Sequence, residues 1–208
     1  MRTELIKKHV TELSRILGGI KPLIPTTELL RLYEAKKYTD MVRFVRNSMG
    51  LYLNIRVGYV NNGGPANTPA WVNLPNTFPT IGSAAFNNLT LTMYIRKSFL
   101  EIAPFESVVL TMAHEMAHII LGALGSSLAT NEEATDLTAM IFGYSQFFVD
   151  GCLYLNRFES PATNWSNESL SSPFFDPTLH ELGYLSPDEM VVAAEIIKRT
   201  WIFQTMEI

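Results

Sequence analysis

Apolar positions recur at helical spacing through the first fifty residues and at strand spacing soon after. Over residues 3–17, Leu5, Ile6, Leu13, Ile16 and Leu17 form one stripe that Gly18-Gly19 ends. A second helix is predicted from near Thr27, and a third from about Thr39 to Met49, with Gly50 as its stop. The segment 51–60, LYLNIRVGYV, turns to β-rich composition and predicts a strand. In 88–95, NLTLTMYI, Leu89, Leu91, Met93 and Ile95 alternate with Thr90, Thr92 and Tyr94, which predicts a second strand with one apolar face. A helix is then expected from about Phe105 to Leu121, with Pro104 suited to its first turn. A longer helix is expected from Glu132 through about Phe148. The connection 156–178 is rich in Ser and Pro, and the last helix opens with SPDE. There Ser186 serves as N-cap, Pro187 takes the first position and Glu189 closes a capping box. This mixture predicts an α+β fold, with a helical region over 1–50 and a second region over 51–208 that together form one compact unit.

Between the two strands the chain loses its charges. From Val57 to Ile95 there is no Asp, Glu, Lys or Arg, and the span is rich in Asn, Thr, Pro and Gly. It reads as a long surface connection with short strands. The sharper alternative is an uncharged wall beside a cleft, with Trp71 and Phe78 as contact points.

Composition narrows the possible classes. The 208 residues are 47% hydrophobic and 17% charged, enough for a substantial core. Lys plus Arg (16) against Asp plus Glu (20) leaves −4, so no basic surface argues for nucleic acid. The single Cys152 excludes an internal disulfide framework, fits a reducing compartment and reads as a buried small hydrophobe. The charged, amphipathic first residues lack the apolar centre of a signal peptide, and the most apolar run, 137–149, is too short to span a bilayer. A cytoplasmic protein without a membrane span is expected, its oligomeric state open. The N-x-S/T triplets at Asn88, Asn164 and Asn167 are read as chance.

One stretch contradicts its apolar surroundings. TMAHEMAHII (111–120) sets His114, Glu115 and His118 inside a hydrophobic helix, where ionisable groups cost free energy unless compensated. One turn apart on one face, the two imidazoles can reach a single ion. Glu115 then sits beside that ion, where it can deprotonate a bound water. Two neutral imidazoles, a third protein ligand and one open position are what catalytic zinc favours. His9 and His180 do not stand at the spacing of a third histidine ligand, but NEEATD (131–136) is well placed, with Glu132 fourteen residues beyond His118. Glu132 and Asp136 share a helical face, so one carboxylate can ligate while the other braces a histidine. Glu133 is the rival ligand, but one helical step turns it away from Asp136.

His114-Glu115-Met116-Ala117-His118 followed by Glu132-x-x-x-Asp136 resembles the gluzincin pattern of zinc metallopeptidases. Asn131, Glu132 and Asp136 match the Asn-Glu-x-x-x-Asp segment of thermolysin-like enzymes. The spacing and size are more similar to the ImmA/IrrE group of cytoplasmic metallopeptidases, or to a soluble relative of the HtpX-type proteases. The likeness covers about 88–145. It implies a zincin-like fold: a small mixed sheet with an edge strand over the cleft, an active-site helix and a ligand-bearing helix. It places His114, His118 and Glu132 on Zn2+, Glu115 as general base and proton shuttle, and Asp136 behind a ligand. It makes 88–95 the edge strand that pairs with an extended peptide. Such enzymes also draw an oxyanion donor from a downstream His, Tyr or Arg. His180, Tyr184, Tyr154 and Arg157 are the candidates, His180 being the only histidine after the motif; Tyr154, like Tyr144, also suits packing in its apolar segment. The implied function is a zinc-dependent endopeptidase acting on a peptide or protein substrate. The alternative is a non-catalytic or regulatory zinc protein acting through protein–protein interaction, with residues 1–50 a candidate docking region.

Overall fold

A computed structural model describes residues 2–65, 68–156 and 178–206. Three helices lead the chain: α1 (Arg2–Ile16), α2 (Thr26–Glu34) and α3 (Tyr38–Ser48). The face that α1 buries is Ile6, Val10 and Leu13, whereas Leu5 and Ile16 of the expected stripe are 40% and 37% exposed. Val10 sits one turn after Ile6 and one before Leu13, and that row decides the helix's orientation.

The sheet is small and mixed. β1 (Asn54–Val60), β2 (Ala70–Val72) and β3 (Thr90–Arg96) lie in the order β1-β3-β2. β1 runs parallel to β3 from Asn54↔Thr90 to Val60↔Arg96, and β2 runs antiparallel to it from Ala70↔Ile95 to Val72↔Met93. The strand expected at the edge is therefore the central one. Leu91, Met93 and Ile95 are buried as the alternation requires, and the charge-free segment folds back as β2 to take the edge. Trp71 stacks on Tyr94 with centroids 5.3 Å apart, and Phe78 closes over Gly122.

Short helices α4 (Ala84–Asn87) and α5 (Lys97–Ile102) flank β3, and the long α6 (Phe105–Ala123) follows. The helix expected over 132–148 is broken in three: α7 (Glu132–Ala139), a π turn (Met140–Tyr144) and α8 (Ser145–Gly151). The cause lies far away in sequence. Lys21 N donates to Ile141 O at 2.9 Å and Ile24 N to Gly143 O at 3.0 Å, so the α1–α2 linker pulls carbonyls out of the helical ladder. Gly143 has φ 95°, and a Cβ there would stand 2.1 Å from Pro22 O. Gly143→Ala is expected to cost at least about 2 kcal/mol, or a Tm drop of about 5 °C or more. Gly18→Ala, also at positive φ but with nothing within 4 Å, isolates the purely conformational share in the same thermal melts.

β4 (Leu153–Asn156) pairs antiparallel with β5 (Thr178–Glu181), and α9 (Pro187–Met206) closes the chain. Glu189 accepts from Ser186 N at 2.9 Å, as a capping box requires. The residues between 156 and 178, with Arg157 and the triplets at Asn164 and Asn167, lie outside the described ones. One buried cluster joins Leu13, Leu29 and Val45 of the N-terminal helices to Met112, Leu137 and Phe148, and Cys152 is buried with it. Among the described residues, no helix is long and apolar enough to cross a membrane.

Candidate metal centre

α6 is buried on nearly every side, so its polar residues must be compensated from within. His114 and Glu115 are only 8% and 6% exposed. The turn between α6 and α7 brings α7 back antiparallel, with Asn131 as its N-cap: the Asn131 side chain accepts from Ala134 N at 2.9 Å. This fixes Glu132 at the first position of α7, facing the histidines.

Three atoms converge there. His114 Nε2 and His118 Nε2 lie 3.1 Å apart, and Glu132 Oε2 lies 3.3 Å and 3.1 Å from them respectively. Glu132 Oε2 is buried, yet it makes no hydrogen bond of acceptable geometry to either imidazole. His114, His118 and Glu132 could together hold a metal ion.

The surrounding contacts prepare the histidines for this. His114 Nδ1 lies 2.8 Å from Asp136 Oδ1, which directs the Nδ1 proton to the carboxylate and leaves Nε2 toward the centre. His118 Nδ1 lies 3.4 Å from Thr135 Oγ1, whose own hydroxyl donates to Asn131 O. Asp136 is completely buried, and its second oxygen accepts from Tyr184 N at 2.6 Å and Leu185 N at 3.1 Å. Gly183 makes that turn possible: it has φ +87°, and a Cβ on it would meet Met190 Cε at 2.5 Å.

Charge follows the same logic. Burial opposes a proton on His114, but the Asp136 and Glu132 carboxylates outweigh it and hold the metal-free imidazole up at about 10. Burial, then the charge on His114, pushes His118 down. Contact with His114 holds Glu132 below the usual carboxylate range, against the opposing effect of its own burial. The carboxylates around the histidines thus favour positive charge at the cluster. Burial pushes Glu115 up to about 7, opposed by His114 and by the Val72 N–H that donates to its Oε2 at 3.0 Å.

Asp136→Asn tests the brace. An amide cannot accept from His114 and from both backbone N–H groups at once, because its NH2 must face one of those donors. Metal affinity is expected to fall about 10–100-fold, measured by competition with a chromophoric chelator.

The other site candidates separate clearly. Glu133 turns away from the centre and pairs with Arg2 at 3.0 Å. The Tyr184 ring stacks on His114 with centroids 5.6 Å apart, and burial together with Glu132, Asp136 and Glu115 raises its pKa. His180 and Tyr154 are register partners in β5 and β4, their side chains lie outside the described ones, and β5 runs directly into the 182–185 turn. Three contributors escaped the sequence reading: the Val72 N–H on Glu115, the Thr135 hydroxyl near His118, and the amides of 184 and 185 on Asp136. Two of these are backbone groups with no residue signature; Thr135 carried a faint one, standing beside Asp136 on the ligand-bearing helix. A cavity of about 140 Å³ opens beside His114 and Glu115, walled by Pro69, Ala70, Leu110, Thr111 and Leu182. Comparisons with protein-family models, curated proteins and solved structures returned no match to this chain.

Proposed function

We propose that this chain is a zinc-dependent peptide hydrolase of the zincin type, working in the cytoplasm. The observation that carries the reading is the convergence of two imidazole nitrogens and one carboxylate oxygen at 3.1–3.3 Å, with Glu115 beside them. Ligand atoms on a tetrahedral zinc with bonds of about 2.0–2.2 Å stand about 3.3–3.6 Å from one another, and the three atoms here stand at or just inside the short end of that range. Zinc held by His114, His118 and Glu132 would polarise a peptide carbonyl and acidify a water.

The chain's own residues do the rest. Glu115 takes a proton from the attacking water as its oxygen bonds to the carbonyl carbon. It then delivers that proton to the amide nitrogen as the C–N bond breaks. A pKa near neutrality suits a group that must both take and give a proton. Asp136 keeps His114 in its ligating tautomer. Tyr184, stacked on His114 and kept protonated by its surroundings, is the donor best placed for the developing oxyanion. β2 replaces β3 as the strand for an extended substrate. Pro69 O accepts from Arg96 N, so the antiparallel alternation turns the Ala70 N–H and the carbonyls of Ala70 and Val72 away from β3, while the Val72 N–H is held by Glu115.

The test is metal analysis of the purified protein together with cleavage of a peptide library read by mass spectrometry. One equivalent of zinc is expected, with cleavage lost on chelation and restored by zinc. One equivalent of zinc without cleavage would mark a regulatory zinc protein, and failure to bind zinc would end both readings.

A further inference from the structure

Thr111 lies one turn before His114 on α6, and its side chain lines the cavity beside the candidate metal centre. It is 5% exposed, and its hydroxyl has no hydrogen-bond partner among the described residues. Helical threonines elsewhere in the chain bond the carbonyl four residues back, as Thr11 does to Lys7 and Thr200 to Ile196, each at 2.8 Å. Thr111 forgoes that bond. Thr138 shares the lack but does not line the cavity. A buried hydroxyl left unpaired carries an uncompensated desolvation penalty that a ligand can relieve. Threonine in a helix divides between two χ1 rotamers, so this hydroxyl has the freedom to turn to a partner brought into the cavity that the residue lines.

The cavity, at about 140 Å³, is close in size to engineered cavities that take one benzene, so it admits a single side chain. Leu110, Leu182, Pro69 and Ala70 give it an uncharged wall, and Glu115 at its margin repels a carboxylate. We infer that Thr111 makes this cavity a specificity pocket for an uncharged polar side chain, Asn, Gln, Ser or Thr, next to the bond that is cut. The position beside a cleaved bond rests on the hydrolase reading, whereas the pocket's preference stands on its own.

The test uses zinc-loaded wild type, the isosteric Thr111→Val and the hydroxyl-retaining Thr111→Ser. By NMR titration, the N-acetyl amides of Asn and Ser are expected to shift Leu110, Thr111 and Leu182 resonances. They should bind about fivefold tighter than the Val amide, a preference lost in Thr111→Val and kept in Thr111→Ser. In a peptide library the same about fivefold preference should appear as a kcat/KM ratio beside the cleaved bond. Polar-selective binding without any cleavage would remove the hydrolase reading and leave the pocket assigned. Val or Lys amides binding as well as Asn, no amide binding at all, or a preference unchanged in Thr111→Val would overturn the inference.

Discussion

Glu115→Gln is expected to lower peptide cleavage about 10²–10⁴-fold while zinc stays bound at near wild-type affinity. The amide matches the carboxylate in size and can still accept from Val72 N–H, so the contact with β2 survives. What it cannot do is carry a proton from water to the leaving nitrogen. Paired measurements of kcat/KM and zinc stoichiometry separate this from damage to the site; full cleavage by the Gln variant would sink the assignment of Glu115. Metal-free melts give a second readout. Burial raises the folded Glu115 to about 7 against an ordinary 4.5, so between those values the folded state holds a proton the unfolded state has released. The wild type therefore loses stability as pH rises from about 4.5 to 7. Glu115→Gln, with nothing to ionise, should melt higher than wild type at pH 8, and the gap should close toward pH 5.

The grouping of His114, His118 and Glu132 was legible because helical geometry converts spacing directly into proximity. His114 and His118, and separately Glu132 and Asp136, each had to share a face once their segments were helical. Asn131 marked the start of α7, and hence the turn at which Glu132 would stand. What stayed hidden depends on partners distant in the chain. Ala70-Trp71-Val72 has no strand pattern of its own; it becomes a strand by pairing with β3, which moves the edge from 88–95 to β2. The break in the helix over 132–148 is invisible in that segment's apolar run, since it is imposed by backbone groups of Lys21 and Ile24. The stripe predicted for α1 held at Ile6, Leu13 and Leu17 but not at Leu5 and Ile16, for a different reason: several registers of that sequence offer an apolar row, and packing selected the one through Val10.

Glu132→Ala and Glu133→Ala should behave oppositely although the residues are neighbours. Removing Glu132 takes one of three ligand atoms from the centre. If each ligand carries roughly a quarter of the about 10–16 kcal/mol of a four-ligand structural zinc site, the loss is about 10²–10³-fold in zinc affinity. Glu133 faces Arg2 at the exposed rim, so its removal should change zinc affinity less than about threefold, in line with the small worth of exposed ion pairs. Competition with a chelator at pH 6, 7 and 8 adds a check that the ligands are those named. In the metal-free wild type a proton sits on His114, held there up to about 10 chiefly by Asp136 and Glu132 against the cost of burial. Zinc must displace that proton, so affinity should fall about tenfold for each pH unit on acidification. Glu133→Ala should keep that slope. Glu132→Ala removes one of the two carboxylates holding the proton, so its affinity should be lower at every pH and its slope shallower toward pH 8. If the two variants lose zinc equally, the third ligand is not Glu132, and the orphaned oxygen between the histidines needs another explanation.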